Sequence, residues 1–265
     1  MKRILKIVIG CLAAVAMLAS SVGIATAEDG HSDKVIASFL KHVETLDSVN
    51  DRQKSEVKKS VEEMKSEATS DAVTEGLIQL YPAYSAAVQS SDDEDVKKAI
   101  ELLTPQAESK DKFLSADASF YLARTLMNDE RFEEAMPRLE TLVGELSEYT
   151  THQGTAQYFI AVAQAGLLKN KVAVQSFMQF LQFNPDAPER LRVSAWRQVQ
   201  HLQSIKDGQL DDVYQRMDYS RRRLELVETN ETTQKEQDKI VDMLTQLIKK
   251  EEKKECSSNC KKGGT

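Results

Sequence analysis

Two columns of alanine constrain this chain more than any other feature. Ala87, Ala123 and Ala161 recur at steps of 36 and 38 residues, and Ala99, Ala135 and Ala173 follow them, each twelve residues later. A fixed internal spacing within a period of this length marks one supersecondary unit repeated along the chain. The apolar residues around the columns fall at three- and four-residue intervals, which places them on one face of a helix. Each unit is therefore two helices joined by a short turn, with a small residue in both. Two antiparallel helices approach tightly only where one of them presents Gly or Ala, so the columns mark the points of closest packing.

Three units align on these columns. The best formed, Ala116 to about Tyr149, carries Leu122, Ala123, Leu126, Phe132, Ala135, Leu139 and Leu142. The next, Gly154 to about Ala187, carries Ile160, Ala161, Ala173, Phe177, Phe180 and Pro185. The first, about Leu80 to Ser115, carries Ala86, Ala87, Val96, Ala99 and Leu103. Large side chains such as Phe132, Phe177 and Phe180 are expected to fill the space between units. Asn184-Pro185 should stop a helix, because proline has no amide hydrogen to donate.

This pattern resembles the tetratricopeptide repeat family. That family's unit of about 34 residues has a small residue in its first helix, another opening its second, large apolar residues after it and a proline at its end. The resemblance spans about half of the chain. It departs from the family in its longer steps, in Gln164 and Asn170 where larger residues are usual, and in Pro137 inside the expected second helix. Sel1-like and other α-solenoid repeats give a similar pattern. The resemblance implies an all-α fold, a superhelical α–α repeat stack flanked by helical extensions. It also implies a concave face that holds a protein or peptide partner.

The flanks read as helical too. Asp33 is placed to cap a helix over 34–46, with 28–33 expected to lack structure, and a polar helix covers 51–68. Its stripe of Val57, Val61 and Met64 is thin, so it is expected to lie loosely on the rest. Leu191, Ala195, Trp196, Val199 and Leu202 form the inner side of an end cap over 188–205, with Trp196 in the core. Beyond the break at Asp207-Gly208, a helix over 210–226 should bury Val213, Met217 and Leu224. A last helix over 233–255 carries Ile240, Met243, Leu244, Leu247 and Ile248. These two form an antiparallel hairpin or pair with another chain through a short coiled-coil-like stripe, a route to a homo-oligomer. The expected division is a helical segment at 28–75, repeats and cap at 76–206, the hairpin at 207–255 and a flexible tail at 256–265.

The N-terminus has the three parts of a secretory signal peptide: basic Lys2, Arg3 and Lys6, an apolar run from Ile7 to Leu18, and a small-residue site at Ala25-Thr26-Ala27. Cleavage after Ala27 sends an exported bacterial protein to the periplasm or the medium. Val8, Ile9, Gly10 and Cys11 resemble a lipoprotein box, but cleavage there leaves hydrophobic residues on the mature end. Removing 27 residues takes 35 basic residues to 32 against 42 acidic, a net charge of −10. That balance opposes nucleic-acid binding, which needs a basic footprint. No later apolar run is long enough for a transmembrane segment. Only 5 prolines and 10 glycines interrupt 265 residues, as suits a helical chain.

The chemical content is sparse. Cys256 and Cys260 can form a local or intermolecular disulfide, supply half of a metal site, or remain free thiols. His31, His42, His152 and His201 are scattered and read as surface or packing residues. Arg216, Arg221, Arg222 and Arg223 form a basic patch, read as a solvated helix with its own ion pairs, with an anionic partner as the alternative. Asp92, Asp93, Glu94 and Asp95 suit the start of a helix. No phosphate loop, nucleophile elbow or zinc-binding helix motif occurs. No catalytic residue, cofactor or metal ligand is assigned. The leading expectation is a non-catalytic scaffold or adaptor. The alternatives are an envelope-assembly subunit associating through the hairpin, and a thiol-based redox or metal-handling protein using Cys256 and Cys260.

Overall fold

All six column alanines are sealed from solvent, each with 0% exposure. The computed structural model that places them describes residues 27–47 and 49–260, and gives side-chain surroundings from residue 30 to 254. The expected leader and Cys11 therefore lie outside the described residues. The chain forms α1 (Ala27–Glu44), α2 (Asp51–Glu67), α3 (Ala72–Leu80), α4 (Pro82–Asp92), α5 (Val96–Ala107) and α6 (Lys112–Asn128). It continues through α7 (Phe132–Val143), α8 (Gln153–Gly166), α9 (Asn170–Phe183), α10 (Glu189–Ser204), α11 (Leu210–Glu225) and α12 (Glu231–Cys260). Two short 3-10 turns lie at 69–71 and 147–149, and no strand occurs among the described residues. The protein is all-α.

The first alanine column lies on α4, α6 and α8, and the second on α5, α7 and α9. From α4 to α10 each helix packs on the next, and α4 with α6, α6 with α8 and α8 with α10 also touch. Contacts confined to near neighbours are how a repeat array accumulates a core. One apolar cluster runs from Val35 through the alanines to Ala163, and a second joins Ala161, Ala173, Phe177, Phe180, Ala195 and Leu202. Helix α8 belongs to both. Gly166 shows how close the helices come: a Cβ there would sit inside the ring of Phe132, the first residue of α7.

The turns repeat as strictly as the alanines. Glu94, Glu130 and Leu168 have φ of 59°, 56° and 59°, the left-handed region that most residues avoid. They stand at the same steps of 36 and 38 residues. In each turn the following amide reaches back to a carbonyl five residues earlier: Asp95 to Ser90 at 3.1 Å, Arg131 to Leu126 at 2.9 Å and Lys169 to Gln164 at 2.9 Å. This is the Schellman arrangement, which satisfies carbonyls left open at a helix end. The turn between α11 and α12 is built the same way. Val227 has φ of 60°, and the Glu228 amide bonds the Arg223 carbonyl at 2.8 Å. Seven residues before Val227 comes buried Ser220, the offset of Ala123 from Glu130. The hairpin thus shares the turn and small-residue register of the three pairs before it.

Several expectations are corrected. Residues 28–33 belong to α1, and Asp33 does not cap it but pairs with Lys65 at 2.8 Å. Helix α2 is not loose: Val57 and Val61 are buried, and Asn50 and Gln53 form a capping box at its start. The expected boundary at residue 75 falls inside α3. Gly76 there faces Phe39, whose ring lies 2.5 Å from where a Cβ would be, so the N-terminal helices share the repeat core. Pro137 is enclosed by α7, which runs on to Val143. Pro185 ends α9 but is itself exposed and packs on nothing in the core. Trp196 is 53% exposed. The inner face of α10 is Ala195, Val199 and Leu202, and one residue onward is a rotation of about 100°. Met217 and Leu224 are likewise exposed, and α12 carries 256–260 as helix where a flexible tail was expected.

Adjacent alanines in α4 give a controlled test of close packing, since Ala87 is buried and Ala86 exposed. Ala87→Leu or Ala135→Leu should cost about 1–3 kcal/mol by overpacking. Ala86→Leu should cost less than about 0.5 kcal/mol, as surface changes do. Urea melts of the three variants check the difference.

Candidate binding surface

Polar groups inside the stack form a sealed framework. The Tyr84 hydroxyl donates to Asp117 at 2.7 Å, and Asp117 pairs with His152 Nε2 at 3.1 Å. The Phe120 ring stacks on His152 at 3.8 Å. Burial, with the Asp117 carboxylate beside it, pushes the Tyr84 phenol well above its ordinary value. Tyr, Asp and His in line suggest acid–base chemistry, but all three are closed to solvent and act as ties between α4, α6 and the start of α8. A second tie caps α6: Asp111 accepts from the amides of Phe113 and Leu114, from Tyr81 Oη at 2.6 Å and pairs with His42 at 3.0 Å. Burial raises the Asp111 carboxyl, and the bonds from Tyr81 and His42 more than reverse this, leaving it below the usual carboxylate value.

The arginine patch is not the solvated helix expected from sequence. Arg222 and Arg223 are buried, and they fasten α11 to the start of α7. Arg222 donates to Glu133 at 2.8 Å and to the Glu130 carbonyl at 2.9 Å, while its guanidinium lies 4.9 Å from the Phe132 ring centre. Arg223 donates to the same Glu133 at 2.6 Å and pairs with Glu228. Desolvation pushes the Glu133 carboxyl up, but the hydrogen bond from Arg222 and the two positive charges hold it below its ordinary value. Three consecutive side chains on a helix point in three directions, so Arg221 alone stays outside, paired with Glu130, Asp218 and Glu225. Neither apolar cluster contains a residue of α11 or α12. The hairpin is held to the stack by charge and cation–π contact.

Docking by this route leaves a cleft of about 830 Å³ between the start of α9, the end of α10 and α11. Val172, Val174, Leu202 and Ile205 give it apolar wall, and Gln175, Gln203, Gln215 and Lys171 give it polar groups. Asn170 donates to Gln215 at 2.7 Å, while its own side-chain oxygen is buried with no donor. On the floor, Arg216 is engaged by Asp212 at 2.8 Å and by Glu236. Mostly apolar lining with a few converging amides is the usual make-up of a ligand site. Sequence inspection missed this cleft because its walls come from three helices. The departures Asn170 and Gln164 were its only signal: Asn170 lines it, and Gln164 accepts from Ser176 at 2.7 Å.

The repeat residues Leu122, Ala123, Ala135, Ala161, Ala173, Phe177 and Phe180 are buried, and Ile160 and Phe132 are partly buried against the core. They hold the stack together and line no opening described here. The backbone of Cys256 and Cys260 lies in the last turns of α12, and their side chains fall outside those described. Among the described residues no group of three or more His, Cys, Asp or Glu is placed to hold a metal ion. No described helix is long and apolar enough to cross a membrane. Comparison with family models, curated proteins and solved structures finds no match.

The Glu133 contacts predict an acid-sensitive dock. A carboxyl held below its ordinary value of 4.5 stabilises the docked state above that pH, and the contribution is lost as pH falls below it. Limited proteolysis between α10 and α11 should therefore accelerate on acidification. Glu133→Gln should cleave fast at every pH, and Arg222→Ala should destabilise on the order of 2 kcal/mol by leaving Glu133 half-buried without its partner.

Proposed function

We propose that this chain is an exported, non-catalytic adaptor that holds an extended segment of a partner protein in the cleft between α9, α10 and α11. The buried, undonated oxygen of Asn170 carries the proposal. A buried acceptor left empty costs free energy that a donated hydrogen bond recovers. The backbone amide of an extended peptide supplies such a donor at no demand on its sequence, and the glutamines beside it can engage further main-chain groups. Val172 and Ile205 offer apolar contact to alternate side chains, which is how extended segments are commonly recognised. Support for export comes from the leader pattern before Glu28. Support for a repeat-type scaffold comes from the alanine columns and the recurring turns. The tetratricopeptide likeness enters by analogy of fold alone.

Val172 is 46% exposed, so Val172→Glu should fold normally while placing a charge in the cleft. The tagged mature chain should capture a partner from the native envelope, identified by mass spectrometry. Val172→Glu should lose it with an unchanged melting temperature, and Cys256→Ser with Cys260→Ser should retain it. Equal capture by Val172→Glu would place binding elsewhere, and loss only in the cysteine variant would favour thiol or metal chemistry.

A further inference from the structure

We infer that the outer face of the α11–α12 hairpin pairs with the same face of a second copy of this chain. On α11, Leu210, Tyr214, Met217 and Leu224 follow at spacings of four, three and seven residues, one side of a helix, and are 69%, 70%, 52% and 46% exposed. Leu210 shares an open groove of about 470 Å³ with Leu244, Leu247 and Ile248, so the stripe passes without a break onto α12. There Val241 and Ile248 stand 62% and 58% exposed. The docking contacts of Arg222 and Arg223 lie on another side of α11, so fastening the hairpin to α7 does not cover the stripe. It presents the stripe on an anchored support.

Length, area and charge select the occupant. Helix α12 has 30 residues and α11 only 16, so α12 overruns its partner by a stretch of about 20 Å. The exposed side chains of the stripe present roughly 600 Å² on each copy, and two copies would bury about 1,200 Å², the lower end of stable specific interfaces. A continuous apolar patch of this size is more than monomers usually leave open. The overrun carries Lys249-Lys250, Glu251-Glu252 and Lys253-Lys254 in blocks of two. A two-fold axis between Lys250 and Glu251 sets each Lys250 against the other copy's Glu251 and each Lys249 against its Glu252. One patch then meets itself with opposite charges facing, as an isologous interface requires. An unrelated partner would have to match that pattern independently. Self-pairing leaves the α9–α10–α11 cleft open, so it neither needs nor excludes the adaptor reading.

Sedimentation velocity of the mature chain with Cys256→Ser and Cys260→Ser tests this without disulfide cross-links. Between about 1 and 100 µM the protein should shift from monomer to dimer. Tyr214→Glu and Ile248→Glu should each weaken dimerisation at least about tenfold, with unchanged helicity and melting temperature. Lys249→Glu with Lys250→Glu should weaken it as well, and adding Glu251→Lys and Glu252→Lys to the same chain should restore it. A monomer at about 100 µM would overturn the pairing and leave the face to a different protein. A dimer indifferent to these substitutions would also overturn it, by placing the interface elsewhere.

Discussion

Helices that meet at alanine bring their backbones close enough for the turn between them to become geometrically fixed. In this chain that close approach, made at Ala87, Ala123 and Ala161 and again at Ala99, Ala135 and Ala173, governs the rest. With no side chain to spare at the contact, the connecting residues must reverse the chain at once. Glu94, Glu130 and Leu168 do so by entering the left-handed region, at a cost the Schellman hydrogen bonds offset. The same tightness brings Phe132 against Gly166 in the next pair, so each hairpin fixes the position of its successor. The Tyr84–Asp117–His152 ties then cross three helices at a depth where an unpaired partner would be costly.

The hairpin at the C-terminal end follows the same turn geometry but attaches by different forces. Its small buried residue is Ser220 rather than alanine, and its grip on the stack is Arg222 and Arg223 around Glu133. Glu133 lies in the first turn of α7, where the helix dipole also favours a negative charge. Attachment by a few long polar side chains, in place of an interdigitated apolar face, leaves space beside the contact. The cleft and the apolar stripe both follow from that choice.

The parts visible in the sequence are those that a residue type dictates. Alanine columns show because only a small side chain fits, and Asn184-Pro185 shows because proline ends a helix. The left-handed turn residues are Glu, Glu, Leu and Val, with no type in common, since the capping bonds and not the side chains demand the conformation. The arginine dock was hidden because Glu133 lies about ninety residues before its partners and looks like any acid opening a helix. Trp196 was misjudged because apolar spacing tells which side of α10 packs only when the neighbouring helix is known. The boundary at residue 75 failed for the opposite reason: α3 is short and mixed, and its burial depends on Phe39 from α1.

Native-state hydrogen exchange measures the central distinction between a continuous apolar core and a hairpin held by charge. Amides of α1–α3 and of α4–α8 should open together at the highest free energy, because one apolar cluster joins them. Those of α11 and α12 should open separately at a lower free energy. Equal protection of α11 and α6, or an independent opening of α1–α3, would contradict this account.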